Sequence, residues 1–231
     1  MKTIAYGLMF ATFALAGCGT ANTTPADSGT TAAADTGVTA PVDASTPVAD
    51  AGSADAGPAY PAGPYGSRVG ALFRPFTLQA CNRDGADATW RFDGPDFWTS
   101  DLTVISIAAE WCVPCQMESS MLQAQIIDRY ASQNVRFVQI LVQNTDQTPI
   151  SASHCNNWVN RFHLTSTPEL MDPEFILQPF VPMTAFPGNI IVDRCGRILW
   201  REYGTTTGLT SIRTAIEDQL SHLQYPNCPA S

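Results

Sequence analysis

Two cysteines separated by two residues, Cys112 and Cys115, lie where the sequence pattern changes from strand to helix. The run 102–108 before them is apolar and rich in β-branched residues, which is typical of a buried strand. The segment 116–130 after them repeats apolar residues at helical spacing. The first N–H groups of a helix have no partners within the helix and carry partial positive charge, so they stabilise a thiolate there. The pair is therefore predicted to carry out thiol–disulfide exchange, in which the thiolate is the reactive form.

The residues around this pair resemble the active site of thioredoxin-like proteins. Positions 109–115 read Ala-Glu-Trp-Cys-Val-Pro-Cys, and Glu118, three residues after the second cysteine, is similar to the TlpA/ResA-type branch of that family. The resemblance implies a thioredoxin-like α/β fold, in which helices flank both faces of a central mixed β-sheet. It also implies a thiol–disulfide oxidoreductase that acts on protein thiols and disulfides and needs no cofactor.

The two cysteines are predicted to have different roles. Cys112 is expected to be the exposed nucleophile at the helix N-terminus, whereas Cys115, one turn deeper, is expected to resolve the mixed disulfide. Pro114 is tolerated between them because N–H groups of a first helical turn lack helical partners anyway. A structural disulfide and half of a metal site are the alternatives. A zinc site would require a second ligand pair at short spacing, which the sequence lacks.

The family resemblance also predicts which residues contact the substrate. Pro187 precedes the apolar run 189–193, as does the cis proline that faces the dithiol in this family. Its peptide bond is expected to be cis, with the backbone of Phe186 hydrogen-bonding an extended partner segment; a Pro-Gly turn without a catalytic part is the alternative. Phe186 departs from the threonine or valine common at this place, and its ring would favour apolar partners. The residues expected at the substrate are Trp111, Val113, Pro114 and Phe186.

Proton removal from Cys115 requires a base. Ser106 stands six residues before Cys112, where thioredoxin has a buried aspartate, and the lysine that often accompanies that aspartate is also absent. Glu110 is the nearest acid in the sequence, and Glu118 is the acid that the TlpA/ResA-type resemblance indicates. We expect one of them to transfer the proton, and the alternative is that both are solvated surface acids.

Copper delivery is an alternative function, because Sco-type copper chaperones share this overall fold. Those proteins bind metal with two cysteines and a distant histidine, for which the candidates here are His154, His163 and His222. Their cysteines are separated by three residues rather than two, so we predict no metal site and place each histidine at a helix surface or boundary. A non-catalytic binding module with the same fold is the broader form of this alternative.

Residues 1–18 resemble a bacterial lipoprotein signal peptide. An apolar stretch, 4–16, follows Lys2 and is too short to span a bilayer as a helix. It ends in Leu-Ala-Gly-Cys, which resembles a lipobox and implies that Cys18 is lipidated and becomes the new N-terminus. Gly19, rather than an aspartate, implies delivery to the outer membrane. We therefore expect a lipid-anchored protein of the cell envelope; an ordinary signal peptide is the alternative.

The rest of the chain divides into a tether and one domain. Residues 19–66 consist mainly of Ala, Thr, Asp, Pro, Gly and Ser without apolar periodicity, which predicts a disordered tether. Residues 67–231 are long enough for one sizeable core and are predicted to form a monomeric domain. The formal charge of −9 and the absence of clustered basic residues exclude a nucleic-acid footprint.

Export predicts that the cysteines after Cys18 form disulfides, because unpaired thiols tend to oxidise outside the cytosol. There are six of them, and an even number fits complete pairing. If Cys112 pairs with Cys115, the other four allow three connectivities, between which the sequence does not decide. We favour Cys81–Cys195 together with Cys155–Cys228.

Overall fold

A seven-stranded mixed β-sheet is the centre of the fold. The computed structural model describes residues 60–204 and 209–223. The strands in chain order are β1 (Thr77–Ala80), β2 (Thr89–Arg91), β3 (Leu102–Ala108), β4 (Val135–Leu141), β5 (Glu169–Met171), β6 (Gly188–Asp193) and β7 (Ile198–Tyr203). Across the sheet they follow the order β2-β1-β5-β4-β3-β6-β7. The β3–β4 and β4–β5 pairs are parallel, and the other neighbours are antiparallel.

Helices pack against this sheet. They are α1 (Pro95–Trp98), α2 (Val113–Leu122), α3 (Asp128–Tyr130), α4 (Ala152–Phe162) and α5 (Thr210–His222). A π-helical turn, Gln123–Ile127, joins α2 to α3, so the helix predicted after the two cysteines continues through a wider turn. The predicted α/β fold with a central mixed sheet and flanking helices is confirmed.

The strand before the two cysteines is the most deeply buried in the sheet. All seven residues of β3 are buried, because β4 and β6 cover its edges and the sheet is packed on both faces. A strand in such a position needs apolar side chains on both faces, which explains the continuous apolar run. Its exceptions are polar residues with specific partners, among them Ser106, which pairs with Gln139 of β4 and Asn189 of β6.

The helices α2 and α4 lie over the same face of β4. Gln139 of β4 accepts a hydrogen bond from the indole N–H of Trp158 in α4 (2.9 Å) and donates to the hydroxyl of Ser119 in α2 (3.0 Å). Gln139 is almost fully buried between them. This shared anchor brings α4 close to the helix that begins at Cys112.

Chain contacts with the domain begin before the predicted boundary at residue 67. The hydroxyl of Tyr60 donates to the carbonyl of Phe73, and its ring contacts Phe97 and Trp98. An aromatic side chain gains from this burial, so the end of the predicted tether packs onto the domain. The predicted signal peptide, Cys18, residues 19–59 of the tether and Cys228 lie outside the described residues. Within residues 60–204 and 209–223, no helix is long and apolar enough to cross a bilayer.

The second disulfide joins Cys81 to Cys155, so the favoured pairs Cys81–Cys195 and Cys155–Cys228 are wrong. The reason is the antiparallel pairing of β1 with β5, which brings the residue after β1 beside α4. The N–H of Cys81 donates to the carbonyl of Glu169 (2.9 Å), and the sulfur of Cys155 approaches the same carbonyl (3.8 Å). Cys195 is also disulfide-bonded.

Candidate active site

The cysteines Cys112 and Cys115 form a disulfide at the N-terminus of α2, with their Cα atoms 5.2 Å apart. Cys112 is the N-cap residue, and its sulfur accepts a hydrogen bond from the N–H of Cys115 at 3.1 Å. The same N–H is available to a thiolate after reduction, and it lies at the positive end of the helix dipole. The geometry therefore favours the ionised form of the Cys112 thiol.

The expectation of an exposed Cys112 is wrong for the oxidised protein. Cys112 is only 3 % exposed and Cys115 only 1 %. The sulfur of Cys112 is bonded to Cys115. The surface beside the disulfide is formed by the next two residues, Val113 and Pro114. Val113 is 63 % exposed and Pro114 is half-buried. Little of the Cys112 surface is therefore accessible to a partner in the oxidised protein.

The loop before β6 packs against the residue that precedes Cys112. The Phe186–Pro187 peptide bond is cis. The Phe186 ring is 7 % exposed and contacts the rings of Trp111 (centroids 5.9 Å apart) and Phe175 (5.7 Å). Its ring thus fills the space between the loop and the cysteine segment instead of projecting into solvent. The half-buried Trp111 also donates its indole N–H to the side-chain oxygen of Gln143 (3.0 Å).

Gly188, directly after Pro187, lies where the loop enters the sheet. A Cβ atom on Gly188 would lie 2.1 Å from a methyl group of Val181, closer than real Cβ contacts allow. Gly188 pairs with Ile107 of β3, one residue from the end of that strand. The absence of a side chain at this position lets the loop carrying Pro187 approach the end of β3.

Glu110 is buried and is bound by two other segments of the chain. One carboxylate oxygen accepts from the N–H and the hydroxyl of Thr145 (3.1 and 3.2 Å) and lies 2.7 Å from Nδ1 of His154. The carbonyl of Glu110 accepts from the side chain of Gln116 (2.7 Å). The alternative of a solvated surface acid is therefore wrong for Glu110, which is 8 % exposed.

Glu118 is also buried, at 4 % exposure, one helical turn after Cys115. Its carboxylate accepts from the side-chain amide of Asn189 in β6, at 3.2 and 3.4 Å. The surface alternative is wrong here as well. Asn189 lies next to Ser106 in the sheet, so Glu118 is placed near the position where thioredoxin has its buried aspartate.

Polar residues on adjacent strands form a buried row beneath α2 and α4, which the sequence did not reveal. Strand pairing places them side by side, and all are 0 or 1 % exposed. The row comprises Asn189, Ser106, Gln139 and Glu169. Each occupies an isolated polar position within an apolar strand, and that isolation is the only signal in the sequence.

Glu169 is the unusual member of this row. The side chain is fully buried, and neither carboxyl oxygen has a hydrogen-bond partner within the described residues. Burial raises the pKa of the Glu169 carboxyl well above its usual value of 4.5, because the charged form would lose its hydration. The carboxyl is therefore held in the neutral form over an extended pH range.

The three histidines lie apart in the described structure. His154 binds Glu110, His163 ends α4 in a left-handed conformation, and His222 bonds within α5 to the carbonyl of Asp218. In the described part of the chain, no group of three or more His, Cys, Asp or Glu side chains is arranged to hold a metal ion.

No family model and no curated protein sequence matches the chain. Solved structures do match. A thiol:disulfide interchange protein, DsbE, from Chlorobium tepidum is 14 % identical over 66 % of this chain and 98 % of that chain, with a TM-score of 0.54. The fold is thioredoxin-like. A protein disulfide isomerase from Bacteroides thetaiotaomicron is 15 % identical (67 % and 91 % covered, TM-score 0.53).

A secreted thiol-disulfide isomerase from Corynebacterium glutamicum is 20 % identical, with 66 % of this chain and 86 % of that chain covered and a TM-score of 0.52. At these identities the similarity establishes the thioredoxin-like fold alone. In that fold, the strand, the Cys112–Cys115 pair and α2 follow one another as the sequence predicted, and the loop of Pro187 packs beside them through Phe186 and Trp111.

Proposed function

We propose that this protein is a thiol–disulfide oxidoreductase of the cell envelope that exchanges disulfides with protein partners. The supporting observation is the Cys112–Cys115 disulfide at the N-terminus of α2, where the sulfur of Cys112 accepts a helix N–H. The thioredoxin-like neighbours named as interchange proteins and isomerases add support.

In the reductive direction, the Cys112 thiolate attacks one sulfur of a partner's disulfide. The partner's S–S bond breaks, its other sulfur leaves as a thiolate that takes up a proton, and Cys112 becomes part of a mixed disulfide. Cys115 then loses its proton and attacks the sulfur of Cys112. This step releases the partner's second thiolate and forms the Cys112–Cys115 disulfide, so two electrons pass from this protein to the partner. The oxidative direction is the reverse.

Glu118 is the acid that we propose accepts the proton from Cys115. It is buried, it lies one turn after Cys115 on α2, and its carboxylate is oriented by Asn189. Glu110, the other candidate, is oriented towards Thr145 and His154 by three contacts to one oxygen. A group so engaged is better suited to positioning than to proton transfer.

The partner is proposed to bind across the loop of Pro187, as the family resemblance implies, with the backbone of Phe186 hydrogen-bonding an extended segment. Val113 and Pro114 present apolar surface next to Cys112, and Trp111 is half-buried at the other side of the pair. A partner with an apolar residue near its cysteine fits this surface. The protein is proposed to act as a monomer.

The place of action is proposed from the N-terminal sequence. Residues 1–18 serve as a lipoprotein signal peptide, Cys18 carries the lipid, and the segment from residue 19 onward holds the domain away from the outer membrane. The neighbour described as secreted supports a location outside the cytoplasm. Labelling with a radioactive fatty acid tests the anchor, and a Cys18→Ala variant that still incorporates label would contradict it.

Two single variants test the exchange reaction. Reduction of a disulfide-bonded protein substrate by dithiothreitol is measured with the wild type, Cys112→Ser and Cys115→Ser. We expect Cys112→Ser to abolish catalysis and Cys115→Ser to accumulate covalent mixed disulfides, which are visible on a non-reducing gel. If both variants accelerate reduction as the wild type does, the proposal is wrong. Stoichiometric copper binding in that event would favour the alternative function.

A further inference from the structure

We infer that His154 is a positioning residue for the redox pair and that the Cys81–Cys155 disulfide holds it in place. The inference rests on the proposed function, because it assigns a role to residues around the same two cysteines. It begins from the contacts of α4, which carries His154 and Cys155 as consecutive residues near its N-terminus. The one step that it adds is electrostatic, through the carboxylate of Glu110.

Side chains of α4 contact a residue that precedes the redox pair in the sequence, Glu110, and a residue that follows it, Gln116. Nδ1 of His154 lies 2.7 Å from a carboxylate oxygen of Glu110, which precedes the pair. The guanidinium of Arg161 donates to the side-chain oxygen of Gln116, which follows the pair (3.1 Å). The side-chain amide of Gln116 donates in turn to the backbone carbonyl of Glu110 (2.7 Å). Both connections end on Glu110, two residues before Cys112. The position of Glu110 therefore depends on α4.

Glu110 lies two residues before Cys112 in the sequence, and a negative charge on its carboxylate opposes formation of the Cys112 thiolate. The ring Nδ1–H of His154 offsets that charge, together with the backbone N–H and the hydroxyl of Thr145. Arg161 is the arginine of α4 that faces this region. Loss of the His154 contact would leave the carboxylate charge less compensated, and the reduced form would be less stable.

The Cys81–Cys155 disulfide fixes the end of α4 on which His154 lies. Cys155 is fully buried, and its bond spans 74 residues to the end of β1. The side-chain oxygen of Ser151 caps the same end, because it accepts a hydrogen bond from the backbone N–H of His154 at 3.5 Å. Both attachments restrict movement of the first turn of α4 relative to the sheet. Opening of this disulfide would release the turn and weaken the contact with Glu110.

The side chain of His154 is suited to substitution because it does not support the core. It is 38 % exposed, and it borders an open cleft of about 290 Å³ that Glu110 and Arg161 also line. Its removal therefore leaves no buried cavity, and the domain is expected to fold. His222 provides a matched control, because it is 74 % exposed and its bonds among the described residues are to its own helix, through Asp218 and Ser221.

The test compares the equilibrium between the Cys112–Cys115 disulfide and glutathione in the purified variants, with the state of each cysteine read by alkylation and mass spectrometry. We expect His154→Ala to lower the equilibrium constant for reduction by about threefold to tenfold, and to raise the thiol pKa of Cys112. Glu110→Gln is expected to change both quantities in the opposite direction, because it removes the opposing charge. His222→Ala is expected to leave both unchanged.

Two combinations separate positioning from a general effect on the fold. In a Glu110→Gln background, His154→Ala is expected to change the equilibrium constant by less than about twofold, because the charge that it compensates is absent. A variant in which Cys81 and Cys155 are both replaced by alanine is expected to shift the constant as His154→Ala does. If that variant fails to fold, the His154→Ala comparison still decides the inference.

The outcomes distinguish this inference from the proposed function. If the wild-type pair does not exchange with glutathione or with a protein substrate, the proposed function fails. If the wild type exchanges and His154→Ala matches it within about twofold, only the inference is overturned. An equal shift in the His222→Ala control, or an undiminished effect of His154→Ala beside Glu110→Gln, also overturns it.

Discussion

Replacement of Glu169 by glutamine should change how the stability of this protein depends on pH. The carboxyl is fully buried, has no hydrogen-bond partner within the described residues, and has a raised pKa because of burial. Glutamine has the same shape and does not ionise. The variant therefore isolates the cost of keeping this carboxyl neutral in the folded protein while it ionises freely in the unfolded chain.

The sign and size of the effect follow from proton linkage. Below the unfolded pKa, near 4.5, the carboxyl is protonated in both states, and the two proteins should differ little. Above that pH the unfolded chain releases the proton and the folded protein retains it. The free energy of unfolding of the wild type then falls, relative to Glu169→Gln, by about 1.4 kcal/mol per pH unit until the folded pKa is reached.

Urea denaturation with all disulfides intact, at intervals between pH 4 and pH 7.5, measures this difference. Asp172 and Asp193 also have pKa values raised by burial, but they are present in both proteins and cancel in the difference. Parallel stability curves for the wild type and Glu169→Gln would refute the reasoning.

Three further predictions concern packing and covalent structure. Gly188→Ala should lower the free energy of unfolding by about 1–3 kcal/mol, because its methyl group would lie 2.1 Å from Val181; an unchanged urea midpoint would contradict this. Trp158→Phe should lower the free energy of unfolding by about 1–3 kcal/mol in the same assay, because it removes the indole donor to the buried side-chain oxygen of Gln139. A decrease below about 0.5 kcal/mol would argue against a stabilising role of that hydrogen bond. Peptide mapping without reduction should find Cys195 joined to Cys228. This expectation rests on the bonded state of Cys195 and on the assignment of the other described cysteines to two disulfides. A free Cys228 would contradict it.

The parts of the fold that the sequence predicted correctly depend on neighbouring residues. The apolar run of β3, the N-cap at Cys112 and the helical spacing of α2 are local patterns, and the structure places these elements as expected. The N-terminus of α4 is similarly local, since Ser151, a residue type favoured at N-caps, caps it. Local chemistry determines where a strand or helix begins, and this information is present in a short window of sequence.

The parts that could not be predicted depend on pairing between distant segments. The Cys81–Cys155 disulfide follows from the antiparallel pairing of β1 with β5, whose residues are about ninety positions apart. The burial of Glu169 follows from the same strand, β5, being covered by α4. Neither Cys155 nor Glu169 has a local pattern that reveals its neighbours. A glutamate in a short strand is ordinarily taken as exposed, and only the register of the sheet shows otherwise.

The polar row beneath α2 changes which group can serve the redox pair. Ser106 stands where thioredoxin has a buried aspartate, and Gln139 occupies the adjacent position on β4. Both are neutral, and Gln139 is engaged by Ser119 and Trp158. Neither can accept a proton from Cys115 at neutral pH. This is consistent with the proposal that the proton acceptor comes from the helix instead of the sheet, since Glu118 is a buried acid that α2 supplies. Asn189, next to Ser106 in the sheet, orients that carboxylate, so the neutral row and the acid on α2 form one arrangement.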